Sequence, residues 1–204
     1  MCTAVAASLS RPLTAAADSS APPEFAARIE QCLAAAPTAD YAEFGAMKVL
    51  GSGEFCTACG TTLRGGRVAV KTLKRETQGT RLAVHGLLRE TAILLSVRHS
   101  NIIAVVAHGT CAADGEAQVP SATMPFLCLE ELASTLAAEL PPSSMYALPW
   151  KFKAACKKWP VERGLDVGLQ LARALQHCHD AWMPGFCLLH RDIKPNNIGF
   201  TASG

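Results

Sequence analysis

The segment HRDIKPNN, residues 190–197, places an acid, a cation and a carboxamide in one short loop. Asp192 could accept a proton from an attacking hydroxyl. Lys194 could neutralise charge on a transferred group, and Asn197 could ligate Mg²⁺, a hard cation that prefers oxygen. His190 is more often a structural hydrogen-bonding residue than a catalyst, and we assign it that role. The loop predicts a metal and a proton acceptor held side by side.

Two further segments carry groups suited to an anionic ligand. In LGSGEFCTA, residues 50–58, Gly51 and Gly53 would let backbone N–H groups approach a phosphate closely. A plain hairpin turn is the alternative interpretation. Lys71 ends the alternating run VAVK, and Glu90 follows nineteen residues later. An ion pair between Lys71 and Glu90 would hold the cation against phosphate oxygens, whereas the alternative is an unpaired surface charge.

Apolar periodicity indicates the elements that must position these groups. We expect a mostly unstructured, Ala-rich extension over residues 1–43 with a short helix at 24–35, and a changeover from strands to helices near residues 132–142. Gly65-Gly66 predicts a hairpin turn. The predicted strands are 46–51, two within 56–74, 101–109 and 124–131, with a polar loop at 110–121. The predicted helices are 79–98 and 161–180, and the second is apolar on more than one side, as a buried helix would be.

Composition narrows the class of protein. Of 204 residues, 50% are hydrophobic and 18% charged, with a net charge of +2, which indicates a globular chain without a nucleic-acid-binding signature. Nine scattered cysteines favour reduced thiols, and hence an intracellular, cytoplasmic protein. Cys56 and Cys59 are too isolated for a zinc site. No apolar run reaches the roughly 18 residues that span a membrane.

Two segments leave alternatives open. The first 23 residues have the Ala, Ser and Thr content of an organelle transit peptide but too few arginines, so a disordered extension is favoured. The lysines between Trp150 and Trp159 are most simply a solvated face, and a docking site for an acidic partner is the minority interpretation.

Taken together, these motifs resemble the eukaryotic protein kinase family. The matching features, in the family's order, are G-x-G at 51–53, V-A-V-K at 68–71, Glu90 in a helix, and H-R-D-x-x-x-x-N at 190–197. The segments VRHSNI, 97–102, and FLCLEEL, 126–132, are also similar to the family. The resemblance implies an α+β protein-kinase-like fold. A complete N-lobe and hinge, with an antiparallel sheet and a regulatory helix, would cover 44–132, and the first part of a helical C-lobe 133–204.

The resemblance also implies a site that binds ATP and Mg²⁺ and a protein substrate with Ser or Thr. Asp192 and Lys194 would be catalytic, and Asn197 would hold Mg²⁺. The residues that would surround the nucleotide are Leu50, Gly51, Ser52, Gly53, Ala58, Ala69, Lys71, Glu90, Leu129, Glu130 and Leu132. Leu129 would be the gatekeeper, with backbone groups of residues 130–132 facing adenine. Lys194 resembles the serine/threonine branch, and the sequence around the loop, PGFCLLHRDIKPNNIGF, resembles its tyrosine-kinase-like group. Arg191 resembles kinases controlled by activation-loop phosphorylation.

Departures from the family pattern qualify the prediction. Cys56 stands where a third glycine is frequent, and Ala58 where Val usually packs on adenine. Asp-Phe-Gly, whose Asp holds Mg²⁺ in the family, does not occur in the 204 residues. We therefore expect an incomplete, inactive kinase fragment. The alternatives are a non-catalytic ATP-binding pseudokinase or scaffold, and a small-molecule phosphotransferase, which Arg191 and Lys194 disfavour.

Overall fold

The computed structural model describes residues 3–5, 23–112, 123–140 and 159–202. The lysine-rich stretch 151–158 and most of the first 22 residues lie outside this part of the chain. The chain divides into two compact units. We call them the sheet unit, Ala7–Arg98 with Ile103–Glu131, and the helix unit, Met1–Ala6 with His99–Ile102 and Leu132–Gly204. Among the described residues, no helix has the length and apolar character needed to cross a bilayer.

The elements follow an order typical of an α+β fold, with runs of consecutive strands and with separate helices. The strands are β1 Thr3–Val5, β2 Lys48–Ser52, β3 Cys56–Leu63, β4 Gly66–Leu73, β5 Val105–Ala112, β6 Thr123–Glu130, β7 Ser134–Thr135 and β8 Ile198–Phe200. The α-helices are α1 Pro23–Ala35, α2 Arg81–Ser96, α3 Leu136–Glu139 and α4 Val161–Gln176. The helix predicted for residues 24–35 is thus present as α1.

The sheet unit is built on five antiparallel strands in the order β2-β3-β4-β6-β5. Arg64 and Gly65 have φ values of 50° and 83° in the turn between β3 and β4. Two successive positive φ values are what a tight hairpin requires, which confirms the turn predicted at Gly65-Gly66. The helix predicted over 79–98 is confirmed as α2, which begins and ends two residues inside those bounds.

One face of this sheet carries an apolar core. Val68 and Val70 of β4 alternate with outward residues and pack with Phe126 and Cys128 of β6, all 3% exposed or less. Residues 37–45 cover this face. Tyr41, Phe44 and Phe126 form a ring cluster with centroids 5.4–5.7 Å apart. The segment just before the predicted domain start is therefore part of the packed sheet unit.

The strand predicted at 101–109 is wrong over its first residues. The Ile102 N–H donates to the His99 carbonyl at 3.0 Å, which closes a turn, so β5 begins only at Val105. The apolar run Ile102-Ile103 is buried as a packed loop and not as a strand. At the other end, β5 continues through Thr110 to Ala112, which were predicted to be loop.

Among the described residues, the helix unit has the smaller core. Strands β1, β8 and β7 form a three-stranded antiparallel sheet in that order. Val167 of α4 packs with Ile198 and Phe200 of β8, and Leu136, Trp159 and Leu171 border them. The predicted helix 161–180 divides into α4 and a π turn, His177–Ala181.

The prediction that this second helix is buried on more than one side is wrong. Val161, Leu165 and Leu169, spaced by four residues, are 73%, 68% and 50% exposed. Residues spaced by four lie along one helix face. Only the opposite part of α4, at Val167, Gln170 and Ala174, is buried. In the part of the chain that the structure describes, α4 therefore keeps an open apolar stripe.

Candidate active site

Lys71 and Glu90 form an ion pair inside the sheet unit. Lys71 lies on β4, between Ala58 of β3 and Leu127 of β6. Its Nζ donates to Glu90 Oε2 of α2 at 2.6 Å, and the two side chains are 23% and 8% exposed. The predicted pairing is thus present. A carboxylate as buried as Glu90 requires a partner charge, so the pair fixes where the ammonium group sits relative to α2.

Four of the predicted nucleotide-contacting residues share one face of the sheet. Ala58 lies opposite Lys71, and Ala69 lies opposite Leu129. Directly opposed residues, and residues two apart on one strand, point to the same side. Ala58, Ala69, Lys71 and Leu129 therefore line the face that α2 covers in part, while Val68 and Val70 point into the core on the other side.

The predicted phosphate loop is the tip of the β2–β3 hairpin. Leu50, Gly51, Ser52 and Gly53 are all exposed. The Gly53 N–H donates to the Cys56 carbonyl at 2.8 Å and closes the turn, and the register shifts between Val49 and Gly51. A Cβ placed on Gly51 would meet no atom within 4 Å. The backbone at Gly51 is therefore open for the approach of an anion such as phosphate.

Cys56 begins β3 directly after this turn and is half-buried. Burial raises the pKa of its thiol, and the nearby ammonium of Lys71 opposes that effect. A thiol with a raised pKa is a weak nucleophile at neutral pH. The position that the family often gives to glycine thus holds a half-buried thiol with a raised pKa here.

The predicted hinge residues are held by contacts that the sequence did not predict. The Glu130 N–H donates to the Ala104 carbonyl at 3.1 Å, and its carboxylate accepts from the Ala104 N–H at 2.8 Å. Glu131 accepts two bonds of 2.6 Å from the Arg67 guanidinium, which lowers the pKa of Glu131. This pairing depends on the register of β4 beside β6, which residue spacing alone does not reveal.

Leu132 belongs to the helix unit and packs on Gly199 of β8. A Cβ added to Gly199 would collide with the Leu132 side chain. Beside it, the Ala133 N–H donates to the Phe200 carbonyl at 2.7 Å. Gly199 therefore provides the space that Leu132 occupies, a use of glycine that the sequence analysis missed.

The loop 190–197 brings the three predicted chemical groups into contact in the helix unit. Lys194 Nζ lies 2.8 Å from Asp192 Oδ2. Asn197 Nδ2 donates to the same oxygen and to the Asp192 carbonyl, both at 2.8 Å. The Asp192 carboxylate thus bridges a cation and an amide, and the buried Asn197 anchors the loop.

His190 and Arg191 shape the start of this loop. The Asp192 N–H donates to His190 Nδ1 at 3.2 Å, as expected for a structural histidine. Arg191 has φ of 64°, a conformation that residues with a Cβ seldom adopt. Such strain is tolerated where the surrounding contacts determine the backbone, and it is frequent at functional sites. The strained residue directly precedes the candidate base.

The side chains of Asp192 and Asn197 fit a Mg²⁺ ion that is shared with a nucleotide. Asn197 and Asp192 offer amide and carboxylate oxygens, which suit Mg²⁺. Among the described residues, no group of three or more His, Cys, Asp or Glu side chains could hold a metal by itself. Mg²⁺ commonly takes only one or two protein ligands together with phosphate oxygens, so this donor set suits a shared ion.

Comparison with known proteins finds similarity to protein kinases. Residues 44–203 match the family model described as the protein kinase domain. The chain is 30% identical over 143 residues to a probable serine/threonine-protein kinase of Streptomyces coelicolor, covering 70% of this chain and 18% of that protein. It is 27% identical over 158 residues to the L-type lectin-domain containing receptor kinase IX.2 of Arabidopsis thaliana, covering 76% of this chain and 20% of the receptor kinase.

The five-stranded antiparallel sheet with its helices, followed by the acid–lysine–amide loop, is typical of the protein kinase fold. The chain belongs to the eukaryotic-type protein kinase family. It spans about a fifth of the length of each of these two relatives.

Proposed function

We propose that this domain transfers the γ-phosphoryl group of ATP to a serine or threonine hydroxyl of a protein. The observation that carries the proposal is the contact between Lys194 and Asp192, 2.8 Å apart in the loop anchored by Asn197. A lysine two residues after the aspartate is the serine/threonine pattern of the family, and the Streptomyces coelicolor relative is named as such a kinase.

In the proposed reaction, each group has a separate task. Asp192 orients the substrate hydroxyl and takes its proton, a role worth roughly 10²- to 10⁴-fold in rate. Lys194, already beside Asp192, balances negative charge on the group in transfer. Lys71, fixed by Glu90, contacts the α- and β-phosphates, and the open backbone at Gly51 covers them. Mg²⁺, when held by Asn197 and phosphate oxygens, supplies further charge neutralisation.

Nucleotide binding by the full 204-residue chain tests the first half of this proposal. We expect ATP with Mg²⁺ to raise the melting temperature, and Lys71→Met to weaken ATP binding by about tenfold, roughly 1.4 kcal/mol. Lys71→Arg retains the charge and serves if the Met variant is unstable. Arg81→Met, which removes an exposed cation at the start of α2, is the matched control. Equal affinity in Lys71→Met and the control would contradict the assigned phosphate contact.

Phosphoryl transfer to a protein tests the second half of the proposal. The 204-residue chain by itself is expected to phosphorylate a basic protein substrate slowly or not at all, because its residues do not include the Asp-Phe-Gly metal ligand. Any transferred phosphate should appear on Ser or Thr by phosphoamino-acid analysis and should be lost in Asp192→Asn. Phosphotyrosine would contradict the proposed specificity. If the chain binds ATP but the transfer signal is the same in Asp192→Asn, that signal does not come from this site. The result would favour a non-catalytic, ATP-binding role instead.

A further inference from the structure

Two cysteines lie at the base of one short loop in the helix unit. Cys178 is in the π turn after α4, and Cys187 lies three residues before His190. The Leu188 N–H donates to the Cys178 carbonyl at 3.0 Å, which holds the two segments side by side. Between them, the Phe186 N–H donates to the Met183 carbonyl at 3.0 Å, and Gly185 has φ of 77°. The chain therefore folds back on itself between the cysteines.

This hydrogen bond limits the distance between the two cysteine backbones. The Cα of Cys178 lies about 2.4 Å from its own carbonyl oxygen, and the Cα of Cys187 about 2.4 Å from the next amide nitrogen. With the 3.0 Å bond between these atoms, the two Cα atoms are at most roughly 8 Å apart. Disulfides span about 4.4 to 6.8 Å between Cα atoms, so the hydrogen bond brings the two cysteines to or close to the range of a disulfide.

The two thiols differ in their surroundings. Cys187 is exposed and Cys178 is half-buried, and both are free thiols. Burial raises the pKa of Cys178, and the neighbouring Cys187 raises it further. By contrast, Cys56 and Cys59 are three residues apart on β3, so they point to opposite faces of the sheet and cannot pair.

We propose that Cys178 and Cys187 are a peroxide-oxidisable dithiol that forms an intrachain disulfide. The exposed Cys187 thiolate attacks hydrogen peroxide, the O–O bond breaks, and a sulfenic acid and hydroxide result. The Cys178 thiolate then attacks the Cys187 sulfur, the S–S bond forms, and hydroxide leaves. The two hydroxides take the two thiol protons as water. The two thiols lose two electrons in total, and peroxide gains them.

The disulfide would fasten the segment that enters the loop 190–197 to the end of α4. His190 follows Cys187 by three residues and accepts the Asp192 N–H. Oxidation would thus restrain the backbone that supports Asp192. The chemistry at the two sulfurs is independent of the proposed kinase reaction and is tested without measuring it.

Peptide mapping of the full chain tests this site. Trypsin releases Ala174–Arg191, which contains both cysteines and no internal Lys or Arg. After brief peroxide treatment, we expect this peptide to lose two hydrogen atoms in mass and to take up no iodoacetamide, and a thiol reductant should reverse both changes. Cleavage before Asp180 should leave two fragments joined by the disulfide. Dimedone should label Cys187 in the Cys178→Ser variant, because the sulfenic acid then has no partner.

Cys32→Ser, which removes a half-buried thiol of α1 in the sheet unit, is the matched control and should leave the linkage unchanged. Disulfide formation should accelerate as pH rises, since a raised pKa keeps the Cys178 thiol mostly protonated at neutral pH. The proposal is overturned if both cysteines of Ala174–Arg191 remain alkylatable after peroxide treatment. It is equally overturned if Cys187 pairs with a different cysteine or with a second chain.

Discussion

The sheet unit and the helix unit hold their candidate site residues by different means. Lys71 and Glu90 lie on a strand and a helix that the core of the sheet unit brings together. Asp192, Lys194 and Asn197 lie within six residues of one another and are held mainly by contacts among themselves. The first arrangement therefore depends on long-range packing, whereas the second is largely local.

The two units also differ in how completely their apolar residues are buried. In the sheet unit, buried residues of β4 and β6 join an aromatic cluster, whereas in the helix unit α4 leaves Val161, Leu165 and Leu169 open. Arg163 of α4 compensates in part, since its guanidinium lies 4.3 Å from the Trp159 ring and 5.2 Å from the Phe200 ring and also pairs with Glu139. Cation–π contacts therefore add to the apolar packing around Phe200 in the helix unit.

Replacing one buried phenylalanine in each unit should give the largest difference in stability between the two units. Phe126→Ala should cost about 3–5 kcal/mol, because Phe126 is 1% exposed and contacts two other rings. Phe200→Ala should cost less, because its smaller core can relax more easily. All three tryptophans lie at residues 150–182, so tryptophan fluorescence follows the helix unit, while far-UV circular dichroism follows both units. Identical shifts of both signals in both variants would contradict two separate cores.

Glu90→Gln tests the dependence of the ion pair on burial. Breaking a buried pair costs about 3–5 kcal/mol, and the partial exposure of Lys71 places this pair near the lower end. The loss should appear in urea unfolding followed by circular dichroism. Glu43→Gln, which breaks the exposed pair with Arg64, is the control and should change stability far less. A similar loss in both variants would show that burial does not distinguish the two pairs.

The helix unit should begin to lose stability at a higher pH than the sheet unit as the solution is acidified, because it contains a histidine with a lowered pKa. Burial lowers the pKa of His99, and His177, whose ring lies 5.2 Å away, and Arg173 lower it further. The unfolded state then binds more protons below about pH 6.5, so stability falls as pH decreases through that value. Tryptophan fluorescence during urea unfolding at several pH values should show this slope, and His99→Gln should reduce it. An unchanged slope in His99→Gln would assign the acid sensitivity to other groups.

The smallest expected effect is a gain in stability, and it should occur in both units. Gly86 of α2 and Gly168 of α4 lie in helix interiors where an added Cβ would meet no atom within 4 Å. Each Gly→Ala change should raise stability by about 0.5–1 kcal/mol, because alanine restricts the unfolded chain. Thermal unfolding of the two single variants measures this. A loss in only one variant would indicate that the helix concerned needs the glycine for a contact.

The sequence was informative where a pattern is local. The hairpin turn at Gly65, helix α2 and the loop 190–197 each depend on residues close in the chain, and all were predicted. The Lys71–Glu90 pair was also predicted, but only as one of two alternatives. The pairings of Arg67 with Glu131 and of Leu132 with Gly199 were missed, because each depends on the register of strands far apart in sequence.

Two predictions failed for physical reasons. Ile102 and Ile103 read as part of a strand, but their apolar character reflects burial in a turn, which periodicity cannot distinguish from a short strand. Helix α4 read as buried because it is apolar on more than one side. An apolar helix face can pack against a neighbour, but its sequence does not show whether a neighbour is present. Within the described residues, nothing covers Leu165 and Leu169.

The segment before the family match also protects the sheet from other chains. Strand β5 is at one end of the five-stranded order, where its outward N–H and C=O groups could pair with a foreign strand. The Ala39 N–H donates to the His108 carbonyl and the His108 N–H donates to the Pro37 carbonyl, both at 3.1 Å. Residues 37–39 thus occupy a position that would otherwise be open to intermolecular β-pairing. A polypeptide that began at residue 44, where the family match begins, would lose this shield and become prone to aggregation at β5.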